Sequence, residues 1–167
     1  RQRQMCIRDR CTDARVNIVT EELFKKYPTL EAFAEADLKE LEEAVRPCGF
    51  YRTKAKSIKE MAGQLINNFG GEIPDNMEDL LTISGIGRKT ANLMMGDVWG
   101  KPAIVTDTHF IRITGRLGLT NNKEPRKVEE DLVKLIPPEV SSDFCHRIVQ
   151  FGRDAVSYTH LRAHETD

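Results

Sequence analysis

Lys89 and Asp107 are the two residues of this 167-residue chain whose types and spacing most directly suggest chemistry. Lys89 stands two positions after the second glycine of Ser84-Gly85-Ile86-Gly87-Arg88-Lys89, in the first turn of a helical pattern. A primary amine there feels the positive end of the helix dipole, which disfavours its charged form. Only the neutral amine attacks an electrophilic carbon, so Lys89 is a candidate Schiff-base nucleophile. Asp107 precedes the next helical pattern, with one helix and a return loop between the two. Packing of those helices as antiparallel neighbours through a bent loop could bring both N-terminal ends to one cleft. A lysine after a glycine hairpin also serves as a phosphate contact, and an aspartate before a helix as its cap. Type and spacing alone leave both pairs of readings open.

The element that must position Lys89 is Leu80 to Thr90, reading Leu-Leu-Thr-Ile-Ser-Gly-Ile-Gly-Arg-Lys-Thr. Gly85 and Gly87 permit positive φ and let backbone approach a ligand that a Cβ would push away. The geometry is a tight hairpin between two helices. Its peptide N–H groups, with the helix N-terminus at Arg88, would form a pocket for one anion, most simply a phosphate. Gly-x-Gly also occurs as an ordinary helix C-cap and turn. A dinucleotide fingerprint is excluded, because the preceding run is helical and Thr90 stands where the third glycine belongs.

Nearly everything between the two chain ends is helix-periodic. Val16, Val19, Leu23 and Tyr27 form one stripe, ended by Pro28. Thr29 caps a short helix through Ala34, and Asp37 with Glu40 forms a capping box for a helix through Val45. Pro47 and Gly49 break the pattern. The longest helix is predicted from Tyr51 to Phe69, with Ala55, Ile58, Ala62, Leu65, Ile66 and Phe69 inward, closed by Gly70 and Gly71. A short helix, Asn76 to Thr82, leads to the hairpin. The next runs from Arg88 to Val98 with Ala91, Met94, Met95 and Val98 buried. Ala103 to Thr106 is an apolar run with no partner strand, so Asp107 caps a helix through Leu117. Pro125 opens a helix through Leu135, and Ser141 caps the last, ending near Arg153. The fold class is all-α, a multi-helix orthogonal bundle with a helix-hairpin-helix at residues 76–98 in a core spanning residues 11–154.

The formal charge of −1 gives no argument for nucleic acid as a whole, but charge is unevenly placed. Between Ser84 and Lys127 the cations Arg88, Lys89, Lys101, Arg112, Arg116, Lys123, Arg126 and Lys127 face only Asp97, Asp107 and Glu124. Glu31 to Glu43 has the opposite bias, so one face could be basic while the total stays near neutral. Cys6, Cys11, Cys48 and Cys145 form no C-x-x-C pair and no metal-ligand spacing. No apolar run approaches the ~20 residues needed to span a bilayer, and the first residues hold no signal-like apolar core. A cytoplasmic monomer is expected. Residues 1–10 and 155–167 lack periodicity and resemble translated adapter sequence; His160 and His164, spaced i, i+4, fall in the second tract.

Ile83-Ser84-Gly85-Ile86-Gly87-Arg88-Lys89-Thr90-Ala91-Asn92, with Pro102-Ala103-Ile104-Val105-Thr106-Asp107-Thr108-His109, closely resembles the endonuclease III family of DNA glycosylases. The resemblance extends from Cys11-Thr12-Asp13-Ala14-Arg15-Val16-Asn17, through Gly49-Phe50-Tyr51-Arg52-Thr53-Lys54-Ala55, to Phe151-Gly152-Arg153. It implies base excision on double-stranded DNA carrying an oxidised pyrimidine or an abasic site. Lys89 would attack C1′ and form an imine, and Asp107 would stabilise the oxocarbenium-like sugar. β-Elimination would then cut the strand 3′ to the lesion. Gly85, Ile86, Gly87 and Arg88 would hold a backbone phosphate while the base is flipped out. Phe50 occupies the place of the family's apolar wedge. His109 would line the site, with a structural role at its helix start as the alternative.

Two departures accompany the likeness. Arg10 stands where the family carries a glutamine, and Asp154 follows Phe151-Gly152-Arg153 where four closely spaced cysteines for a 4Fe-4S cluster are expected. The chain is therefore expected to be an internal fragment with no cofactor of its own. A related adenine-mispair glycosylase is disfavoured, because that branch lacks the nucleophilic lysine. The competing class is a non-catalytic helix-hairpin-helix module holding DNA by phosphate contacts alone; such a module needs no carboxylate like Asp107.

Overall fold

The computed structural model describes the backbone of residues 13–163 and the side chains of residues 15–154. All regular structure among them is helical: α1 Asp13–Lys26, α2 Leu30–Glu35, α3 Leu38–Val45, α4 Tyr51–Phe69, α5 Met77–Leu80, α6 Arg88–Asp97, α7 Thr108–Arg116, α8 Pro125–Leu135 and α9 Ser141–Ala163. Short 3-10 turns at Arg46–Cys48 and Pro138–Val140 precede α4 and α9. Among the described residues no helix is long and apolar enough to cross a membrane.

Local chemistry explains most of these bounds. Thr29 accepts the Ala32 N–H at 3.2 Å to start α2, and Asp37 accepts the Lys39 and Glu40 N–H groups at 2.9 and 3.1 Å to start α3. The Glu40 carboxylate pairs with Lys26 at 2.9 Å. At the far end of α4, Gly70 and Gly71 take φ of 62° and 84° and turn the chain back, with the Gly71 N–H on Leu65 O at 2.9 Å.

The chain divides into two compact units. The first holds α1 to α4 and Glu78–Gly85. Its core gathers Leu23, Tyr27, Ala36, Leu41, Val45 and Ala55, with Phe33 packed against Tyr27 at a ring separation of 5.3 Å. The helix α4 lies along both α2 and α3, and Lys59 reaches from it to the Ala36 carbonyl at 2.5 Å, satisfying an acceptor at the end of α2.

The second unit holds Asp75–Met77 and the chain from Ile86 onward. Ile104, Val105, Phe110, Val128, Leu132 and Cys145 form its core, and Phe110 meets Phe144 edge-to-face at 6.0 Å and 89°. Ala103 to Thr106 is buried throughout yet forms no strand. Its N–H groups turn to α9: Ala103 donates to Ser141 Oγ at 3.1 Å and Val105 to Cys145 Sγ at 3.4 Å. Burying backbone without a ladder requires such side-chain acceptors.

Three sequence expectations are corrected. The last helix does not end near Arg153 but continues to Ala163, making it the longest of the described helices. Neither glycine nor proline follows Gly152, so nothing local stops propagation. Val98 is 65% exposed because α6 ends one residue before it, and Asn92 is buried in its stead. Ser141 uses its hydroxyl to donate to Pro138 O at 2.8 Å and to receive Ala103, tying the coil to α9. His160 lies in α9 with its side chain undescribed, and His164, Cys6 and Cys11 lie outside the described residues.

Phe110 is fully buried at the centre of the second unit. Phe110→Ala is expected to cost about 3–5 kcal/mol in urea unfolding followed by circular dichroism. A loss below about 1 kcal/mol would show that the unit closes without this ring.

Candidate active site

The hairpin begins where α5 unwinds through two turn bonds, Thr82 N–H to Asp79 O at 3.0 Å and Ile83 N–H to Leu80 O at 3.2 Å. Ser84 then fastens it to α4 inside the first unit. Its N–H donates to Gln64 Oε1 at 2.7 Å and its hydroxyl to Glu60 Oε2 at 2.8 Å. Gly85 follows at φ 81°, and a Cβ there would stand 3.0 Å from Ser57 Cβ. Both the turn and the close approach therefore require glycine.

Gly87 does not use the freedom that glycine permits. Its φ of −90° and ψ of 170° are ordinary extended values, and it forms the N-cap of α6 without a side-chain bond. A Cβ on Gly87 would meet nothing within 4 Å. Its missing side chain leaves the start of α6 open rather than bending the chain.

Lys89 and Asp107 line one cleft of about 510 Å³ in the second unit. Lys89 rises from the first turn of α6, is exposed, and forms no ion pair with a described residue. Asp107 Oδ1 accepts the Phe110 N–H at 2.7 Å, which caps α7 and fixes the carboxylate at the end of the buried 103–106 coil. The opposite wall comes from α9: Cys145, His146, Arg147, Val149, Gln150 and Arg153. Burial pushes the Cys145 thiol up to about 11, so it stays protonated at neutral pH. Three of the wall's polar groups have partners on hand: His146 Nε2 lies 2.8 Å from Asp97, Arg147 2.7 Å from Asp143, and Gln150 3.0 Å from Asp154.

The remaining sequence candidates sit elsewhere. Arg88 directs its guanidinium to Glu129, with Nε on Oε2 at 2.7 Å and Nη2 on Oε1 at 2.8 Å; this carboxylate holds the Arg88 pKa above its ordinary value. Ile86 is half-buried at the hairpin tip. His109 does not line the cleft: its Nδ1 is 3.2 Å from Arg112 Nη2, and its Cβ faces Gly152. Phe50, in the first unit, takes the left-handed φ of 48° after Gly49 at 66°, and this reversal leaves its ring 63% exposed ahead of α4.

The α9 wall was missed by sequence reasoning. A signal existed, since His146, Val149, Gln150 and Arg153 are spaced i, i+3, i+4, i+7 on one helical face. The described residues do not fit an iron–sulfur cluster. Such a cluster takes four thiolates, whereas the cysteines with described side chains, Cys48 and Cys145, are both buried and lie in different units. Among the described residues no group of three or more His, Cys, Asp or Glu is placed to hold a metal ion.

Residues 4–138 match the family described as HhH-GPD superfamily base excision DNA repair protein. The chain is 45% identical to endonuclease III of Synechocystis sp. and 41% identical to that of Bacillus subtilis, each over 144 residues. Those alignments cover 86% of this chain and 66% of each relative, so the chain spans just under two thirds of their length. The fold is similar to that of a solved non-covalent endonuclease III–DNA complex, with a TM-score of 0.82 and 42% identity over 86% of this chain and 67% of that one.

The two hairpin glycines should respond differently to a methyl group. Gly85→Ala is expected to lose about 1–2 kcal/mol of stability by strain and contact with Ser57, whereas Gly87→Ala stays within about 0.5 kcal/mol of the parent. Thermal melts of both variants check this, and equal losses would refute the conformational distinction.

Proposed function

The chain belongs to the endonuclease III family of the HhH-GPD superfamily, and on that footing we propose that it excises a damaged base from duplex DNA and cleaves the strand at the resulting abasic site. The observation that carries this reading is the cleft shared by Lys89 and Asp107. A phosphate-holding module has no use for a carboxylate beside its lysine. Support comes also from a trapped endonuclease III–DNA covalent intermediate, whose fold matches this chain with a TM-score of 0.82.

The reaction follows from the two side chains. The neutral Lys89 amine attacks C1′ as the C1′–N bond breaks, and the base departs with the bonding pair and takes up a proton. Asp107 stabilises the positive charge that develops on the sugar and accepts the proton released by the attacking amine. Opening of the sugar ring gives an iminium linkage between Lys89 and C1′. Loss of a C2′ proton expels the 3′ phosphate, and water then releases the enzyme. The resemblance assigns an oxidised pyrimidine as the base.

The hairpin supplies the grip. Backbone N–H groups of Gly85, Ile86 and Gly87 with the open start of α6 suit one phosphate, and Arg88 adds its own N–H there. Phe50 is the apolar wedge that enters the stack when the target nucleotide leaves it. Its left-handed backbone and high exposure suit that task. His109 is assigned a structural role through Arg112.

Borohydride trapping on a duplex with one abasic site tests the reading. The parent chain is expected to form a covalent adduct, and Lys89→Ala to form none while its DNA affinity changes by less than about threefold. Asn caps helices as well as Asp. Asp107→Asn is therefore expected to keep the parent's melting temperature while slowing base removal by about 100-fold. Equal loss of binding and trapping in Lys89→Ala would make Lys89 a phosphate contact instead.

A further inference from the structure

The first turn of α6 carries Lys89 yet has no side-chain cap of its own, because Gly87 offers none. The neighbouring residue supplies the fastening. Arg88 grips Glu129 of α8 with two parallel hydrogen bonds of 2.7 and 2.8 Å. Glu129 is only 7% exposed, and α8 is anchored on either side of it by Val128 and Leu132, both at 0%. A carboxylate withdrawn from water in this way is costly to leave unpaired, so the pair resists separation. Successive helix residues point about 100° apart. Clamping Arg88 to α8 therefore fixes the direction in which Lys89 leaves the helix toward the cleft.

We propose that Arg88 and Glu129 are positioning residues for the lyase step: their clamp sets the place of the Lys89 amine relative to Asp107. The inference rests on the glycosylase and lyase reading above. Imine formation needs the amine in line with C1′ at about 3–3.5 Å, and a misplacement of about 1 Å costs on the order of 100-fold in rate. Arg88 thereby acts through Lys89, and its guanidinium is not a phosphate ligand. The pair is separated by 41 residues and joins the helix of the nucleophile to the core of its unit.

The test is single-turnover borohydride trapping by the full 167-residue chain at saturating abasic-site duplex. Duplex affinity by fluorescence anisotropy and melting by circular dichroism are measured beside it. Glu129→Gln is expected to lose about 10-fold or more in trapping rate with affinity within about threefold of the parent. Arg88→Lys, which keeps charge but not the two-pronged grip, should fall between them. Arg88→Met combined with Glu129→Leu removes the buried carboxylate that Arg88→Met alone leaves unpaired, so the double variant should melt above that single variant without regaining rate. A parental rate in Glu129→Gln would overturn the proposal. So would a double variant whose rate recovers with its stability, or an Arg88→Lys that loses affinity while Glu129→Gln loses nothing. Absence of an adduct with the parent chain itself would overturn the glycosylase and lyase reading, and this inference with it.

Discussion

The second unit depends on four consecutive buried residues, Ala103 to Thr106, whose backbone has no ladder to join. Buried N–H groups without acceptors cost on the order of 1–3 kcal/mol each, and here α9 provides the acceptors through Ser141 Oγ and Cys145 Sγ. That solution does more than satisfy donors. It draws the first turns of α9 against the coil that ends at Asp107, so a cleft forms with the carboxylate on one side and the α9 face on the other. Cys145 shows how burial sets its own chemistry: the same enclosure that lets Sγ accept from Val105 raises the thiol pKa to about 11. The sulfur is thereby a packing atom and an acceptor rather than a nucleophile.

The hairpin follows a different logic, in which each glycine answers a separate demand. Gly85 is required by its φ of 81° and by Ser57 standing where a Cβ would go. Gly87 is conformationally ordinary, and its lack of a side chain matters for what can approach the helix start from outside. Ser84 ties the turn to Gln64 and Glu60 of α4, so its placement is settled by non-local bonds. On the proposed reading, a turn fastened in this way is preorganised for the phosphate.

The sequence was most legible where structure is decided within a few residues. Thr29 and Asp37 start helices and Gly70 stops one by local bonds, Pro125 starts another by its fixed φ, and α4 and α8 keep the bounds read from them. Legibility failed in three places for separate reasons. The end of α9 carried no stop signal in Val156 to Ala163, and absence of periodicity was mistaken for absence of helix. The φ of Gly87 could not be read, because glycine permits both signs and only tertiary context chooses. The Arg88 to Glu129 pair joins residues whose separation leaves no local trace in the sequence. Lys89 and Asp107 were legible as types at helix starts, but the α9 face opposite them needed a helix-wheel reading of the cleft rather than of the core.

Charge shows most clearly how pairing revises composition. The stretch from Ser84 to Lys127 reads as strongly basic, yet half of its cations are matched by carboxylates in the fold. Arg88 meets Glu129, Lys101 meets Asp75, Arg126 meets Glu130 and Lys127 meets Glu124. Asp75, Glu129 and Glu130 all come from outside the stretch, so counting within it could not reveal the neutralisation. Lys89, Arg112, Arg116 and Lys123 have no carboxylate partner among the described residues, and Arg112 spends one nitrogen on the Gly152 carbonyl. Exposed pairs are weak, whereas the carboxylate that holds Arg88 is buried. On the proposed reading, grip on a nucleic-acid backbone comes less from this stretch's guanidinium and ammonium groups than from oriented peptide N–H groups at the hairpin. Such contacts release fewer counterions than an equal number of lysines would. On the proposed reading, a near-neutral chain holds DNA in this way only where the backbone is shaped for it, and the Gly85 turn would supply that shape.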